Sequence, residues 1–186
     1  MGGVLSGDQI RSLCVGDEPL LTDYRDLDQQ VQPNGFDLTM GSIHTYSGTG
    51  RIGVAIGDRV LPDLVALDED ADGWFRLAAG PYHVVFNEAV RLPLDVMAFG
   101  RPRSSVCRGG AAIHTAVWDA GYHGRSSSLL IVSNLAGLAL ERHARILQLV
   151  FVRLDRPAGA GYDGAYQGER LGAAAAGSAN ERRSPR

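Results

Sequence analysis

Short apolar runs recur along this chain of 186 residues, and short turns separate them. Most runs are too short for a helix and contain many β-branched and aromatic residues, which favours strands. Twenty-four glycines and eight prolines supply the turns. This spacing predicts an all-β barrel or sandwich rather than an alternating α/β fold. The predicted strands span residues 52–56, 60–67, 74–77, 83–86, 94–99, 111–117, 129–132 and 144–154.

Two local signals near the N-terminus predict a helix and a turn. Ser6 is followed three residues later by Gln9, the spacing of a capping box, so we expect a short amphipathic helix that begins after Ser6. The sequence Pro33-Asn34-Gly35 is typical of a turn, and the alternating residues after it predict a strand.

Composition narrows the class of protein. The net charge of −3 gives no indication of a nucleic-acid or membrane partner, and we expect neither. All 18 basic residues are arginine, so an anion site must use arginine, backbone amides and hydroxyls.

Cys14 and Cys107 lie far apart, without zinc-site spacing, and are predicted to be reduced thiols. Because neither a signal peptide nor a membrane span is apparent, we expect a cytoplasmic protein.

The C-terminal part differs from the rest. From Ala158 onward glycine and alanine dominate, and residues 172–186 are predicted to form a disordered tail behind a single domain spanning residues 1–171. Tyr162, Tyr166 and Gln167 precede that tail. Aromatic residues in such a segment are expected to dock on something.

Polar chemistry concentrates between Arg101 and Arg125. Arg103-Ser104-Ser105, with glycines nearby, suits an anion, although it also fits a surface turn rich in hydroxyls. Asp119 stands in a strand–turn context, where a lone aspartate is commonly a turn former. Each motif alone therefore leaves a structural interpretation open.

Together, five ordered segments resemble the dCTP deaminase and dUTPase superfamily, closest overall to dCTP deaminases and to bifunctional dCTP deaminase-dUTPases. The resemblance runs from about Leu5 to about Gly172. The segments are QPNGFDLTMG (32–41), RSSVCRGG (103–110), DAGYHG (119–124), RILQLVF (145–151), and Tyr162 with YQG (166–168).

The resemblance implies a distorted β-barrel of the dUTPase-like β-clip type that assembles as a homotrimer. It places active sites between subunits and Mg²⁺ on the phosphates of a triphosphate, with no metal ligand from the protein. It also implies roles for individual residues. The candidate catalytic residues are Asp119, Arg108 and Ser104; the candidate substrate-binding residues are Arg103, Ser105, Trp118, Tyr122, Gln148, Tyr162, Tyr166 and Gln167.

Within that set, the resemblance assigns specific tasks. Ser104, Ser105 and Gln148 are expected to hold phosphates. Tyr122 is expected to pack against the deoxyribose and exclude a 2′-hydroxyl, and Asp119 to orient or deprotonate water. Tyr166 and Gln167 are expected to close over the phosphates, and Arg108 matches an arginine typical of deaminases.

The sequence departs from the deaminase pattern at three places. The deaminase glutamate is expected within residues 129–131, yet no acidic residue occurs between Gly124 and Asn134. The base-reading hairpin, HTAVWDAGY, is one residue short before Asp119, and Trp118 stands at the altered point. Ala165 replaces the expected lysine, a loss for which Arg170 is a candidate replacement.

Four functions remain open at this point. The motifs favour a pyrimidine nucleotide diphosphatase of dUTPase type that releases a monophosphate, since it needs only residues that are present. The alternatives are a dCTP deaminase or a deaminase of a modified cytosine nucleotide, a pathway-specific enzyme for an unusual pyrimidine nucleotide, and a binding protein that has lost the chemistry.

Overall fold

A short capped helix lies near the N-terminus of the structure, a computed structural model that describes residues 2–172. This helix, α1 (Gly7–Leu13), has Ser6 as its N-cap. The Ser6 backbone N–H donates to Gln9 Oε1 over 2.9 Å, and Gln9 N–H donates to Ser6 Oγ over 3.4 Å. The predicted capping box is therefore confirmed, and Ile10 anchors the helix on the core.

The rest of the chain consists mainly of short strands. They are β1 (Gly3–Val4), β2 (Leu21–Thr22), β3 (Val31–Gln32), β4 (Gly35–Ser47), β5 (Asp63–Ala66), β6 (Trp74–Leu77), β7 (Gly80–Phe86), β8 (Ala89–Arg91), β9 (Val96–Pro102), β10 (Ala111–His114), β11 (Val117–Trp118), β12 (His123–Gly124), β13 (Ser127–Val132), β14 (Leu138–Glu141) and β15 (Arg145–Arg153). Two further short helices, α2 (Leu27–Gln30) and α3 (Ser104–Arg108), and one 3₁₀ turn (Ile56–Asp58) lie between them.

One large antiparallel sheet organises the fold. Its strand order is β10-β13-β7-β4-β15-β9-β11, with β1, β3 and β5 attached at its sides. The sheet curls into a half-barrel, and two small sheets, β12-β8-β2 and β14-β6, complete the structure. The predicted all-β, distorted-barrel class is confirmed.

The core lies inside this curled sheet. Along β13, residues alternate between half-buried and buried, as expected for a strand with one face on the core. Phe36, Phe86, Phe151 and Leu130 are fully buried. Burial of each such side chain contributes about 2–3 kcal/mol of favourable transfer free energy.

Several predicted strands have different bounds. Residues 52–56 do not form a strand; Arg51 makes an isolated bridge to Val60 and the chain continues into the 3₁₀ turn. Ile52 and Val54 are 85% and 108% exposed, so this apolar run has no core to face. The run 111–117 divides into β10 and β11, because pairing changes from β13 to β9.

The turn at Pro33 and Asn34 is confirmed, since Gln32 pairs with Gly35 in the β3–β4 hairpin. Cys14 and Cys107 are both free thiols, as predicted. The predicted disordered tail at 172–186 lies outside the described residues except for Gly172, and the division at residue 171 stays a prediction.

Candidate active site

A cleft of about 580 Å³ opens beside β11 and the start of β13, and residues of the C-terminal segment 161–170 line it on another side. We call this segment the strap. The volume is typical of small-molecule sites. Five of the predicted site residues line the cleft: Trp118, Asp119, Tyr122, Tyr162 and Tyr166.

Asp119 follows β11 directly and begins a tight turn. Its carbonyl accepts a hydrogen bond from Tyr122 N–H over 3.0 Å. Gly121 has φ +84°, a left-handed conformation that favours glycine, and a Cβ there would lie 2.5 Å from Gly161 Cα in the strap. The turn therefore places Trp118, Asp119 and Tyr122 on the cleft while the strap packs closely behind it.

Tyr122 is buried, and two strap residues contact it. Its hydroxyl donates to Glu169 Oε1 over 2.9 Å. The ring of Tyr162 meets it edge-on, with 5.8 Å between ring centroids. Burial and then the neighbouring Glu169 charge raise the pKa of Tyr122 above its ordinary value, so the phenol stays protonated and remains a donor.

Backbone hydrogen bonds hold the strap on the segment 120–125. Tyr162 N–H donates to Ala120 O over 2.9 Å, and Gly168 N–H donates to His123 O over 2.8 Å. Arg125 N–H donates to Glu169 O over 2.9 Å. The strap is thus docked along its length on the turn that carries Asp119.

Gln167 fastens the strap with both ends of its amide. Its Nε2 donates to Gly121 O over 2.9 Å, and its Oε1 accepts from His123 N–H over 2.8 Å. The residue does not line the cleft of Asp119. In this chain the Gln167 side chain therefore binds backbone groups of the segment 120–125, and its expected role in closing over the phosphates stays a prediction.

Two other strap residues do reach the cleft. Tyr166 lines it and is 41% exposed, and its ring centroid lies 5.5 Å from the Arg59 guanidinium carbon. Arg170 also lines it, bonded to Glu169 and to Arg125 O. Arg170 therefore brings a cation to the cleft, whereas Ala165 brings none.

The predicted phosphate-binding residues and the catalytic candidate Arg108 lie elsewhere in this chain. Ser104, Ser105 and Arg108 are exposed on α3, and none of them lines the cleft. The two serine hydroxyls make no hydrogen bond to another of residues 2–172. Both hydroxyls are therefore available to a ligand, but they are not part of the cleft of their own chain.

Arg103 is already paired. Its Nε lies 3.0 Å from Asp37 Oδ2, and Arg145 Nη1 lies 3.5 Å from the same oxygen. The Asp37 side chain is only 1% exposed. Burial raises the pKa of Asp37 above its ordinary value, although the charges of Arg103 and Arg145 oppose that shift. Gln148 lies opposite Asp37 in the β15–β4 register, also outside the cleft.

The model of the dCTP deaminase-like family matches residues 4–154. The chain belongs to this family. The curated relatives include a probable deoxyuridine 5′-triphosphate nucleotidohydrolase of Methanosarcina mazei, 45% identical over 166 residues that cover 89% of this chain and 97% of the relative. A protein of the same description from Archaeoglobus fulgidus is 48% identical over 168 residues, covering 90% and 98%.

Solved structures include a related fold. The crystal structure of 2′-deoxycytidine 5′-triphosphate deaminase from Agrobacterium tumefaciens superposes with a TM-score of 0.62 at 27% identity. The match covers 82% of this chain and 48% of that one, so this chain spans about half the length of the deaminase.

None of the helices in residues 2–172 has the length and apolar character needed to cross a membrane.

The expected position of the deaminase glutamate, residues 129–131, lies in β13. Leu129 lines the cleft, and Leu130 is fully buried in the core. β13 also lines the cleft with Ser127 and Ser128, but Leu129, which it presents at the expected glutamate position, is apolar.

Several residues that line the cleft were not predicted from the sequence, among them His83, Ser126 and Glu169. His83 lines it from β7; burial, then Arg170 and His44, lower the pKa of His83 to about 4, so the imidazole is neutral near pH 7. Ser126 lines it from the segment before β13. Glu169 comes from the strap, and its only sequence signal is its position beside the Tyr-Gln-Gly motif.

Proposed function

We propose that this chain hydrolyses dUTP to dUMP and diphosphate. The observation that carries the proposal is that Asp119 and Tyr122 line one cleft, in which β13 presents Leu129 rather than an acid at the expected position of the deaminase glutamate. A carboxylate and a buried aromatic ring suit hydrolysis of a deoxynucleotide, whereas zinc-free deamination needs a further acid/base beside the base. The relatives named as deoxyuridine triphosphate nucleotidohydrolases, 45% and 48% identical, support the same assignment.

The proposed reaction uses Asp119 as the general base. Asp119 orients a water molecule and takes its proton while the water oxygen attacks the α-phosphorus. The bond between the α-phosphorus and the bridging oxygen breaks, and diphosphate leaves with the electron pair. Positioned hydrogen-bond donors stabilise the charge that develops on the phosphate oxygens. Tyr122 packs against the deoxyribose, where a 2′-hydroxyl would find no room.

The phosphate donors come from a neighbouring subunit of a homotrimer in this proposal. Ser104 and Ser105 are exposed and do not line the cleft of their own chain, and Gln148 lies outside it as well. A site that needs both groups is incomplete in one chain. An arrangement in which α3 of one subunit faces the cleft of the next completes it, with Arg108 on the same helix.

Mg²⁺ enters with the substrate in this proposal. Residues 2–172 contain no group of three or more histidine, cysteine, aspartate or glutamate side chains that could hold a metal ion. Mg²⁺ commonly binds through substrate phosphates and water with few protein ligands, so this donor set fits a magnesium–triphosphate complex. The ion would neutralise phosphate charge near Asp119.

Deamination of a cytosine nucleotide is the second candidate, since the deaminase of Agrobacterium tumefaciens has a similar fold. The apolar Leu129 opposes it. Loss of a general acid/base typically lowers a rate by about 10²–10⁴-fold.

The test is a panel of dUTP, dCTP, dTTP, UTP and dUMP incubated with the pure protein and Mg²⁺, with products identified by mass spectrometry. We expect dUMP and diphosphate from dUTP and the slowest turnover with UTP and dCTP. Formation of dUTP from dCTP would replace the proposal with deamination. Absence of any product, together with nucleotide binding, would favour a binding protein.

A further inference from the structure

We propose that Glu169 is a positioning residue that fixes the ring of Tyr122, so that discrimination between deoxyribose and ribose depends on the strap. The inference rests on the proposed function and extends it to a residue outside the family motifs. It concerns how Tyr122 is held rather than which residue meets the sugar.

The Tyr122 hydroxyl needs a partner because the side chain is only 5% exposed. Glu169 Oε1 supplies it over 2.9 Å, and no other described residue accepts a hydrogen bond from this hydroxyl. A buried hydroxyl without a partner costs about 1–3 kcal/mol. Removal of the Glu169 carboxylate therefore releases the ring to seek another orientation.

The space around Tyr122 and Glu169 leaves no room for a further side chain. A Cβ on Gly124 would lie 2.7 Å from the Tyr122 hydroxyl oxygen and 3.1 Å from Glu169 Cγ. Only a residue without a side chain leaves room for both groups at this point. Tyr162 then blocks the ring from another direction, edge-on at 5.8 Å between centroids.

Charge also favours a fixed geometry. The Glu169 carboxylate is bonded to Arg170, so the cleft gains a neutral pair rather than a bare anion beside the substrate phosphates. The Glu169 carbonyl accepts from Arg125 N–H over 2.9 Å, which locks the backbone from which the carboxylate projects. Docking of the strap therefore also places the carboxylate that fixes the Tyr122 ring.

The consequence is specific to the sugar. A ring held at both its edge and its hydroxyl cannot tilt to accommodate an added 2′-hydroxyl, whereas a ring held only by packing can. Glu169 should thus affect selection of dUTP over UTP more than turnover of dUTP itself. A purely structural residue would lower stability or overall activity without changing that selection.

The experiment compares kcat/KM for dUTP and for UTP in the wild type, Glu169→Ala, Glu169→Gln and Tyr122→Phe. We expect Glu169→Ala to lower the dUTP-to-UTP ratio by about tenfold, mainly through a gain in UTP turnover. Glu169→Gln keeps an acceptor oxygen and should hold the ratio within about threefold of wild type. Tyr122→Phe should resemble Glu169→Ala, and adding Glu169→Ala to it should lower the ratio no further.

A matched control is Glu141→Ala, which removes an exposed carboxylate from β14, outside the cleft. An unchanged ratio in Glu169→Ala, with dUTP hydrolysis intact in the wild type, overturns this inference and leaves the proposed function standing. A wild type that does not hydrolyse dUTP overturns both. If Glu169→Ala fails to fold, Gly124→Ala crowds the same pair and should also lower the ratio.

Discussion

Glu88 accepts two hydrogen bonds from Thr39, one from its backbone N–H over 2.9 Å and one from its hydroxyl over 2.6 Å. Gln30 Nε2 donates a third over 2.7 Å. Glu88 is fully buried, and it ties the turn between β7 and β8 to β4. Burial raises the pKa of Glu88 to about 7, although these hydrogen bonds oppose the shift.

The first prediction follows from that pKa. Between pH 4.5, the ordinary value, and about pH 7, the folded protein keeps a proton on Glu88 that the unfolded chain has released. Stability from this group therefore falls as pH rises through that window, by on the order of 3 kcal/mol, and is level above it. Glu88→Gln removes the titration. The Tm of Glu88→Gln minus the Tm of wild type should therefore increase from pH 5 to pH 7.5.

The measurement is Tm for both proteins at a fixed protein concentration, since assembly also affects Tm. Glu141→Gln, an exposed change, is the control and should show the same pH profile as wild type. A constant Tm difference between Glu88→Gln and wild type across this range would contradict the prediction.

The second prediction concerns Gln167 as the fastener of the strap. Gln167→Ala removes two hydrogen bonds, each contributing about 0.5–1.5 kcal/mol, so closed straps should become on the order of tenfold rarer. The chain contains no lysine, so trypsin reports on arginine sites alone. Cleavage after Arg170, identified by mass spectrometry, should become faster, and triphosphate binding weaker.

Gln29→Ala, which removes an exposed amide from α2, is the matched control for Gln167→Ala. If cleavage after Arg170 were equally fast in wild type and Gln167→Ala, Gln167 would not hold the strap.

Local sequence signals predicted those parts of the fold that depend on local chemistry. The capping box of Ser6 and Gln9 and the turn before Gly35 are of this kind. The motif Asp119–Gly124 likewise predicted a turn on the cleft, and its geometry needs only nearby residues and Gly121. The spacing of the strands predicted an all-β barrel or sandwich, and the resemblance then selected the distorted barrel.

Contacts between residues that are distant in sequence could not be predicted from local sequence signals. Glu169 contacts Tyr122, which lies 47 positions earlier in the sequence, and the residues next to Glu169 give no indication of a buried carboxylate. The exposed apolar residues Ile52 and Val54 imitate a strand because hydrophobicity alone does not reveal whether a core faces them. The pairing of Arg103 with Asp37 similarly depends on two strands meeting.

The third prediction tests whether the site forms between subunits. Light scattering should give three times the chain mass of 19.8 kDa. Asp119→Asn and the double variant Ser104→Ala/Ser105→Ala should each be nearly inactive alone. Coassembled in equal amounts, they should recover roughly a quarter of wild-type activity, because some sites combine an intact cleft with intact serines.

The same two variants assayed together without the coassembly step are the control and should stay inactive. Absence of recovery in confirmed mixed trimers would place both halves of the site in one chain. A stable monomer with full activity would exclude the shared site altogether.

The last prediction concerns Asp119, which lines the cleft with an exposed side chain beside Tyr122. Asp119→Asn keeps size and hydrogen-bonding ability but removes the base. If Asp119 takes the proton of the attacking water, kcat for dUTP should fall by at least ~10²-fold. Affinity should be unchanged or higher, since a carboxylate repels the substrate phosphates.

A purely structural role predicts the opposite pattern. Asparagine is also a good turn residue, so an Asp119 that only shapes the turn before Tyr122 would tolerate the change with nearly full activity. The measurement is kcat together with the Kd for dUTP, the Kd taken with Ca²⁺ in place of Mg²⁺ to slow turnover. Asp17→Asn, an exposed change after α1, controls for loss of one charge. Retained kcat in Asp119→Asn would refute the catalytic assignment and direct attention to Arg108 and to Glu169, the other carboxylate that lines the cleft.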